Sequence, residues 1–256
     1  MSSEKREYKW VGTRQIRPDG HDKVTGRAKF GSDFSLSGMI HGRVLRSPHA
    51  HAVIRSIDTS KAEALPGVKA VITSKDFKDQ PSELKPAGEG MVNYRDMTRN
   101  VMAREKVLYD GHAVAAVAAT NIEIAEAALQ LIKVEYDVLP HVIDVDEAMA
   151  PDAPILHDWL QTDGIDGPTN IASTMMVKTG DVEQGFAEAD LVIEREFKSA
   201  AVHQGYIEPQ ACIVSYKPDS QSTIWSSSQG QFMVRSLTAT ITGMATGDIK
   251  AIPAEI

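Results

Sequence analysis

The residues best suited to chemistry lie between positions 223 and 241, where an apolar run is followed by a polar loop and a helical pattern. The loop, residues 226–230, reads Ser-Ser-Ser-Gln-Gly, and Val234, Leu237 and Ile241 follow it at spacings of three and four. This spacing places the three apolar residues on one helix face. Because N–H groups at a helix start have no intrahelical partner, the loop can hold an anion, an oxo group or a phosphate.

Gln229 stands at the tip of this loop. A carboxamide offers two donors and one acceptor without a charge, which suits a polar ligand whose charge changes during a reaction. The alternative is that Ser-Ser-Ser-Gln-Gly only caps a helix, since serine and glycine are common at helix starts. The local pattern leaves both interpretations open.

Composition limits the class of protein. The chain has 256 residues, 42% of them apolar, which is enough for a sizeable core and favours two domains. Its net charge of -8, with no basic stripe, argues against a nucleic-acid partner. The charged N-terminus lacks an apolar signal segment, and the most apolar run, residues 113–119, is too short to span a bilayer. These features predict a cytoplasmic protein with no membrane contact.

The first part of the chain alternates short strand and helix patterns. Two strand-like runs flank Ser47-Pro48, and a short helix at residues 60–65 precedes a strand at residues 68–73. Residues 79–105 are polar and interrupted by proline and glycine, which predicts a long surface loop.

The clearest local unit begins with a buried strand at residues 113–119. Thr120 and Glu123 have the spacing of a capping box, and the helix that they predict leads to a strand at residues 134–139. No Gly-x-Gly-x-x-Gly follows the first strand, so this strand–helix–strand module is predicted to be scaffold rather than a dinucleotide site.

The second part of the chain follows a turn-rich stretch at residues 157–174. A helix is predicted at residues 182–189, and strands are predicted at residues 191–197, 211–216 and 249–252. Cys212, the single cysteine, excludes an internal disulfide and is interpreted as a small hydrophobic residue in a strand. The chain stops shortly after the last predicted strand, so we expect open sheet edges and apolar faces that a partner or self-association covers.

Four stretches resemble the N-terminal part of the molybdenum-binding large subunit in the xanthine dehydrogenase and aldehyde oxidase family. They are Asp-Gly-His-Asp-Lys-Val-Thr-Gly-Arg-Ala-Lys-Phe at 19–30, Leu-Ser-Gly-Met-Ile-His-Gly-Arg-Val-Leu-Arg-Ser-Pro-His-Ala-His at 36–51 continuing to Leu-Pro-Gly-Val at 65–68, Val-Glu-Tyr at 134–136, and His-Gln-Gly-Tyr-Ile-Glu-Pro at 203–209 with Trp-Ser-Ser-Ser-Gln at 225–229. The resemblance implies an α+β fold with an N-terminal extension (1–18), a hammerhead domain (19–160), a linker (161–172) and the start of a molybdopterin-binding domain (173–256).

The resemblance also implies a function. In this family a molybdenum–pterin cofactor hydroxylates an aldehyde or N-heterocycle with oxygen taken from water, and electrons leave through [2Fe–2S] clusters and FAD. Gln229 matches the glutamine that hydrogen-bonds the apical molybdenum oxo group, so Gln229 and Gly230 are predicted to contact the cofactor. The chain has no cysteine array for a cluster and no FAD signature. Its implied partners are a C-terminal molybdopterin-binding chain, an iron–sulfur subunit and an FAD subunit.

Some family residues are not found in this sequence. The family's Gly-Gly-Gly-Phe-Gly-Gly-Lys stretch is expected directly after residue 256, and later pterin-binding segments and the glutamate general base are also absent. No catalytic residue and no metal ligand is therefore assigned, and the isolated chain is expected to be inactive. The alternative is a non-catalytic fragment or an assembly subunit that needs a partner chain for the cofactor site.

Other polar residues have ordinary interpretations. His49 and His51 have a spacing that suits a metal pair on a strand, but no acidic or cysteine ligand accompanies them, so packing or subunit contact is favoured. Glu208 is interpreted as a structural carboxylate rather than a buried general acid. Three aspartates are interpreted as turn residues: Asp19, Asp22 and Asp33.

Overall fold

A computed structural model of the chain describes residues 8–87 and 90–255. Residues 1–7 of the predicted N-terminal extension and residues 88–89 of the predicted surface loop lie outside the described residues. The strands are β1 (His41–Arg46), β2 (Ala52–Asp58), β3 (Val68–Thr73), β4 (Leu84–Ala87), β5 (Gly90–Asn93), β6 (Lys106–Val107), β7 (Ala113–Ala119), β8 (Lys133–Val138), β9 (Cys212–Ser215), β10 (Ser222–Ser226) and β11 (Ile249–Pro253). The helices are α1 (Gly20–Val24), α2 (Ser60–Glu63), α3 (Tyr94–Val101), α4 (Ile122–Leu129), α5 (Val145–Ala148), α6 (Val182–Glu188) and α7 (Gln231–Thr242). The α+β class is confirmed.

The chain divides into two compact units that are not contiguous in sequence. The first unit contains the described residues up to Met39, the described residues of Phe77–Arg95, and those from Ile207 onward. The second contains Ile40–Asp76 and Asp96–Tyr206. The domain limits that the sequence indicates stay a prediction.

The second unit is built on strand β7. This strand is the centre of an antiparallel sheet with the order β1-β7-β3, in which Val117 pairs with Arg43 on one side and Val71 on the other. A separate antiparallel sheet has the order β6-β2-β8. The strand–helix–strand module is present as β7, α4 and β8, but its two strands join different sheets.

Strand β7 is buried on both faces, and this explains why its sequence is continuously apolar. Ala115 and Val117 belong to one core cluster, which also contains Ala125 of α4. Val114 points the other way and packs with Ala52 of β2. Since successive side chains point to opposite faces of a strand, the alanine and valine run fills two cores. Small side chains also allow α4 to approach the sheet closely.

Helix α4 begins one residue later than the predicted capping box requires, because the N-cap residue is 121 rather than 120. Asn121, in an extended conformation, is the N-cap, and its Oδ1 accepts a hydrogen bond from Ile124 N at 2.8 Å. The Thr120–Glu123 capping box is therefore wrong. Thr120 N donates instead to Gly67 O at 2.9 Å. Gly67 has a φ of +96°, and a Cβ there would lie 2.7 Å from Ile124 Cδ1, so this turn requires glycine.

The prediction of a long surface loop at residues 79–105 is also wrong. Strands β4 and β5 form an antiparallel pair, and helix α3 follows them directly. Asn93 Oδ1 accepts a hydrogen bond from Arg95 N at 3.1 Å, a local cap that hydrophobic periodicity does not reveal. A proline and a glycine of this segment lie in a short two-stranded sheet rather than in an irregular loop.

The first unit contains a three-stranded sheet with the order β11-β10-β9. Strand β10 pairs antiparallel with β9 and parallel with β11, and α7 makes the crossover between β10 and β11. Ile224, Ala239 and Ile249 form its core. The predicted strands at residues 211–216 and 249–252 are confirmed. Cys212 does lie in a strand, but its side chain is exposed, so its interpretation as a packed hydrophobic residue is wrong.

Every residue from 172 to 206 is exposed, and α6 is the one regular element described there. Met175 and Phe197 are 90% and 89% exposed. The predicted strand at residues 191–197 is wrong, because no described strand pairs with it, and an extended segment without a neighbour leaves its backbone to water. The predicted helix at residues 182–189 is confirmed as α6. None of the described helices is both long and apolar enough to cross a bilayer.

The exposed segment predicts where a protease cuts first. We expect trypsin to cleave after Lys178, Arg195 or Lys198, because these exposed residues lie outside the described helices and strands and make few contacts that resist local opening. Mass spectrometry of the early fragments identifies the sites. By contrast, Lys133, at the start of the paired strand β8, should be cut late. Early cleavage there would contradict the assignment.

A second feature of the fold is the buried imidazole of His112. It is fully buried, its Nδ1 accepts a hydrogen bond from Leu108 N at 3.2 Å, and its Nε2 lies 2.9 Å from Arg99 O. These partners require a neutral ring with the proton on Nε2. Burial lowers the pKa of His112 below its usual value.

This burial predicts a loss of stability in acid. Because the pKa of His112 is lower in the folded than in the unfolded chain, the unfolded chain binds more protons, so stability is complete above about pH 6.5 and falls as the pH falls through the folded pKa. Urea unfolding of His112→Asn should show a free energy lower by about 1–3 kcal/mol at pH 8 and a smaller further loss at pH 5.5 than wild type. Exposed His141→Asn is the control. An unchanged pH dependence in His112→Asn would contradict the account.

Candidate functional site

The loop between β10 and α7 is held at both ends by hydrogen bonds. Before the loop, Ser226 O accepts from Ala254 N at 2.9 Å. After it, Ser228 Oγ accepts from Gly230 N at 3.1 Å, and Ser228 O accepts from Gln231 Nε2 at 2.6 Å. Ser228 therefore supplies the local turn, with Gly230 as the N-cap residue. Gln229 does not cap the helix.

The side chain of Gln229 is free to meet a ligand. It is exposed, and it makes no hydrogen bond with another residue in the described part of the chain. It borders an open cleft of about 540 Å³ within the first unit. Other residues that line this cleft are Arg17, Asp19, Lys29, Phe34 and Glu255. The carboxamide is therefore accessible from this cleft.

The charges around this cleft are nearly balanced. Arg17 Nη2 donates to Asp19 Oδ2 at 2.7 Å, and this pairing lowers the pKa of Asp19 to about 2. Lys23 Nζ lies 3.5 Å from Asp19 Oδ2 and 3.7 Å from Glu255 Oε2. Such exposed pairs contribute little to stability. They do keep the acids near Gln229 matched by cations, which suits a ligand contact made through a neutral amide.

An aromatic pair and a 3-10 turn lie next to the loop. The rings of Phe34 and Trp225 stack with their centroids 6.4 Å apart, within the range of favourable aromatic contacts. The turn Gly31–Asp33 lies immediately before Phe34. Sequence patterns do not reveal this arrangement, because residues nearly 200 positions apart give no local signal of their contact.

The other candidate residues lie elsewhere. His49 and His51 occupy the turn before β2 rather than a strand, which corrects their placement. His51 Nδ1 lies 2.8 Å from Pro140 O, and the His49 ring meets Tyr136 edge to face at 5.1 Å. No group of three or more His, Cys, Asp or Glu side chains among the described residues is arranged to hold a metal ion.

Asp19 lies in a turn and Asp33 ends a 3-10 turn, but Asp22 lies within helix α1, so its interpretation as a turn residue is wrong. Each of the three has a local partner. Asp33 Oδ2 accepts from Phe30 N at 3.0 Å, while Asp22 pairs with Arg27 at 3.4 Å. Asp19 precedes helix α1 and also borders the cleft. Glu208 is half-buried and lies beside the loop that carries Gln229.

Comparison with known families assigns both parts of the chain. Residues 25–140 match the a/b hammerhead domain of aldehyde oxidase and xanthine dehydrogenase, and residues 165–256 match the molybdopterin cofactor-binding domain. The chain belongs to the xanthine dehydrogenase and aldehyde oxidase family. Gln229 and Gly230 lie within residues 165–256, the region that matches the molybdopterin cofactor-binding domain.

Individual relatives from this family are similar to most of the chain. The chain is 37% identical to a probable xanthine dehydrogenase subunit of Bacillus subtilis over 215 residues, which cover 84% of this chain and 26% of the relative. It is 34% identical to the carbon monoxide dehydrogenase large chain of Afipia carboxidovorans, over 96% of this chain and 30% of the relative. The chain therefore spans less than a third of the length of these family members.

A solved structure shows the same fold. Quinoline 2-oxidoreductase from Pseudomonas putida 86 superposes with a TM-score of 0.81 and 28% identity, over 98% of this chain and 31% of that chain. The match extends along nearly all of this chain, so both family domains take part in it.

Proposed function

We propose that the chain is the N-terminal part of the molybdopterin-binding subunit of a molybdenum hydroxylase, in which Gln229 contacts the cofactor. The observation that carries the proposal is the exposed carboxamide of Gln229, which has no hydrogen-bond partner among the described residues, at the tip of a fixed loop inside the region that matches the molybdopterin cofactor-binding domain. A neutral donor beside balanced charges fits a polar cofactor whose charge changes during turnover.

The bound cofactor supplies the redox chemistry of the reaction. A substrate C–H and one water become C–OH, with release of two protons and two electrons, and the electrons pass to [2Fe–2S] clusters and FAD on partner subunits. This chain's own contribution is placement. Gln229 Nε2 is the donor toward a polar cofactor atom, and Gly230 starts the helix so that the loop tip stays uncovered.

Gly230 has a limited role in this proposal. Its N–H already donates to Ser228 Oγ, so it does not serve the cofactor as a donor. A Cβ at Gly230 would lie 3.5 Å from Met233 Cε, an ordinary contact, so space is not the reason for glycine there. Its proposed contribution is a contact between its backbone, next to Gln229, and the cofactor.

The substrate class is a small aldehyde or N-heterocycle. The names of the xanthine dehydrogenase and quinoline oxidoreductase relatives support an N-heterocycle for this chain. The exposed apolar side chains of residues 172–206 support a partner, because large exposed apolar patches mark interaction sites. We propose that a C-terminal molybdopterin-binding chain covers them, in a cytoplasmic complex with iron–sulfur and FAD subunits.

A second candidate is a non-catalytic assembly subunit, and the same exposed segment favours it. In that case the segment would still bind a partner, while Gln229 would face solvent in the complex. The two functions differ in whether the side chain of Gln229 matters for turnover.

Replacement of Gln229 tests the proposal directly. In the assembled enzyme Gln229→Ala should reduce turnover per bound molybdenum by about tenfold to a thousandfold, as loss of a preorganised donor does. The free energy of unfolding should change by no more than about 0.5 kcal/mol, because the side chain is exposed. Steady-state kinetics, metal analysis and urea unfolding give the three values.

Gln221→Ala is the matched control, since this exposed glutamine lies at the other end of β10 and donates to Gly247 O. It should leave turnover unchanged. Unchanged turnover in Gln229→Ala at full molybdenum loading would rule out the cofactor contact and leave the assembly role.

The composition of the native complex tests the partner proposal. The chain, tagged and purified from the cells that make it, should bring down subunits that carry molybdenum, iron and FAD. Metal analysis and flavin absorbance measure these contents. A preparation that contains a partner protein but none of the three cofactors would favour the assembly subunit.

A further inference from the structure

Glu208 joins two segments that are far apart in sequence. Its Oε1 accepts a hydrogen bond from Gly31 N at 3.0 Å and another from Ser227 Oγ at 2.9 Å. One carboxylate oxygen therefore ties the 3-10 turn Gly31–Asp33 to the loop after β10, two residues before Gln229. Hydrogen bonds to a charged acceptor are stronger than those between neutral groups.

The fit at this junction is close. A Cβ on Gly31 would lie 2.5 Å from Ser227 Oγ and 3.1 Å from Ala211 O, so only glycine lets the turn pass beneath the loop. Gly31 is itself buried. Ser227 N also approaches Ala211 O at 3.4 Å. The hydroxyl of Ser227 is therefore confined between the turn and the carboxylate.

Each loop residue before Gln229 has its own restraint. Ser226 O is bonded to Ala254 N, Ser227 Oγ to Glu208, and Ser228 Oγ to Gly230 N. Ser226 is thus restrained through its backbone, and Ser227 and Ser228 are restrained through their side chains, whereas the side chain of Gln229 makes no hydrogen bond among the described residues. The Glu208 bond is the one restraint in this series that comes from a charged side chain.

We infer that Glu208 is a positioning residue for Gln229, acting through Ser227. The inference rests on the proposed function in so far as Gln229 contacts the cofactor, while the anchoring itself concerns this chain alone. Replacing Glu208 by alanine leaves two donors without their acceptor, and the loop then samples other positions. Glutamine keeps an acceptor oxygen at the same reach and should restore the loop.

Amide hydrogen exchange of the chain tests the anchoring. In Glu208→Ala the amide of Gly31 and those of residues 227–230 should exchange about five- to tenfold faster than in wild type, the effect of one lost hydrogen bond. Glu208→Gln, which keeps a neutral acceptor, should exchange at a rate between those of wild type and Glu208→Ala and closer to wild type, and exposed Asp219→Ala is the control. Ser227→Ala, which removes only the hydroxyl donor, gives the same test if Glu208→Ala does not fold. Unchanged exchange in both variants would overturn the inference.

Turnover of the assembled enzyme tests the connection to Gln229. Glu208→Ala should lower turnover per bound molybdenum, Glu208→Gln should restore most of it, and Glu208→Ala combined with Gln229→Ala should be no slower than Gln229→Ala alone. Losses that multiply in the double variant would overturn the action through Gln229. If Gln229→Ala alone has no effect, the proposed function fails, and the exchange rates still decide the anchoring.

Discussion

Burial of strand β7 on both faces is the constraint on which the second unit depends. Val114 packs toward one sheet, while Ala115 and Val117 pack toward helix α4, so a charged or large polar residue at any of these positions has no exposed face available. The strand must be apolar throughout, and its alanines must stay small, because α4 and the second sheet approach it from opposite sides. The buried His112, just before β7, fits this arrangement only as a neutral, fully hydrogen-bonded ring.

The first unit depends on a different kind of contact, in which polar groups fix a loop. Strand β10 lies between β9 and β11, so its end point is set by two ladders of backbone hydrogen bonds. Ser226 ends that strand. Beyond it, one backbone bond from Ser227 N to Ala211 O remains, and side chains supply the other restraints: Glu208 restrains Ser227, and Ser228 restrains Gly230. Polar side chains of the loop and of Glu208 therefore fix the residues before Gln229, whose own side chain is exposed.

Much of the fold was predictable from sequence, because its strongest patterns are local. The apolar run of β7, the helix of α7 and the strand that becomes β11 were all correctly predicted. The failures share a cause. The segment 191–197 has strand composition but no described neighbour, and Asn121 rather than Thr120 caps α4 because the Thr120 N–H is already bonded to Gly67. Pairing and competition for hydrogen bonds depend on residues distant in sequence, which periodicity does not report.

The residues of the candidate site also differ in whether a local sequence pattern reveals them. Gln229 could be found from the loop pattern, since an amide at the tip of a strand–loop–helix turn stands out locally. Glu208 and Gly31 could not, because their contact spans 177 residues. The division has a physical consequence for function. An exposed glutamine side chain loses about 1.5–2 kcal/mol of rotamer entropy when a ligand orders it, so its net contribution to ground-state binding is small. A fixed backbone beneath it removes the larger cost of ordering the loop. In the proposed function, the carboxamide is then best suited to an interaction that strengthens as charge develops on the ligand, and such an interaction would raise the rate rather than the affinity.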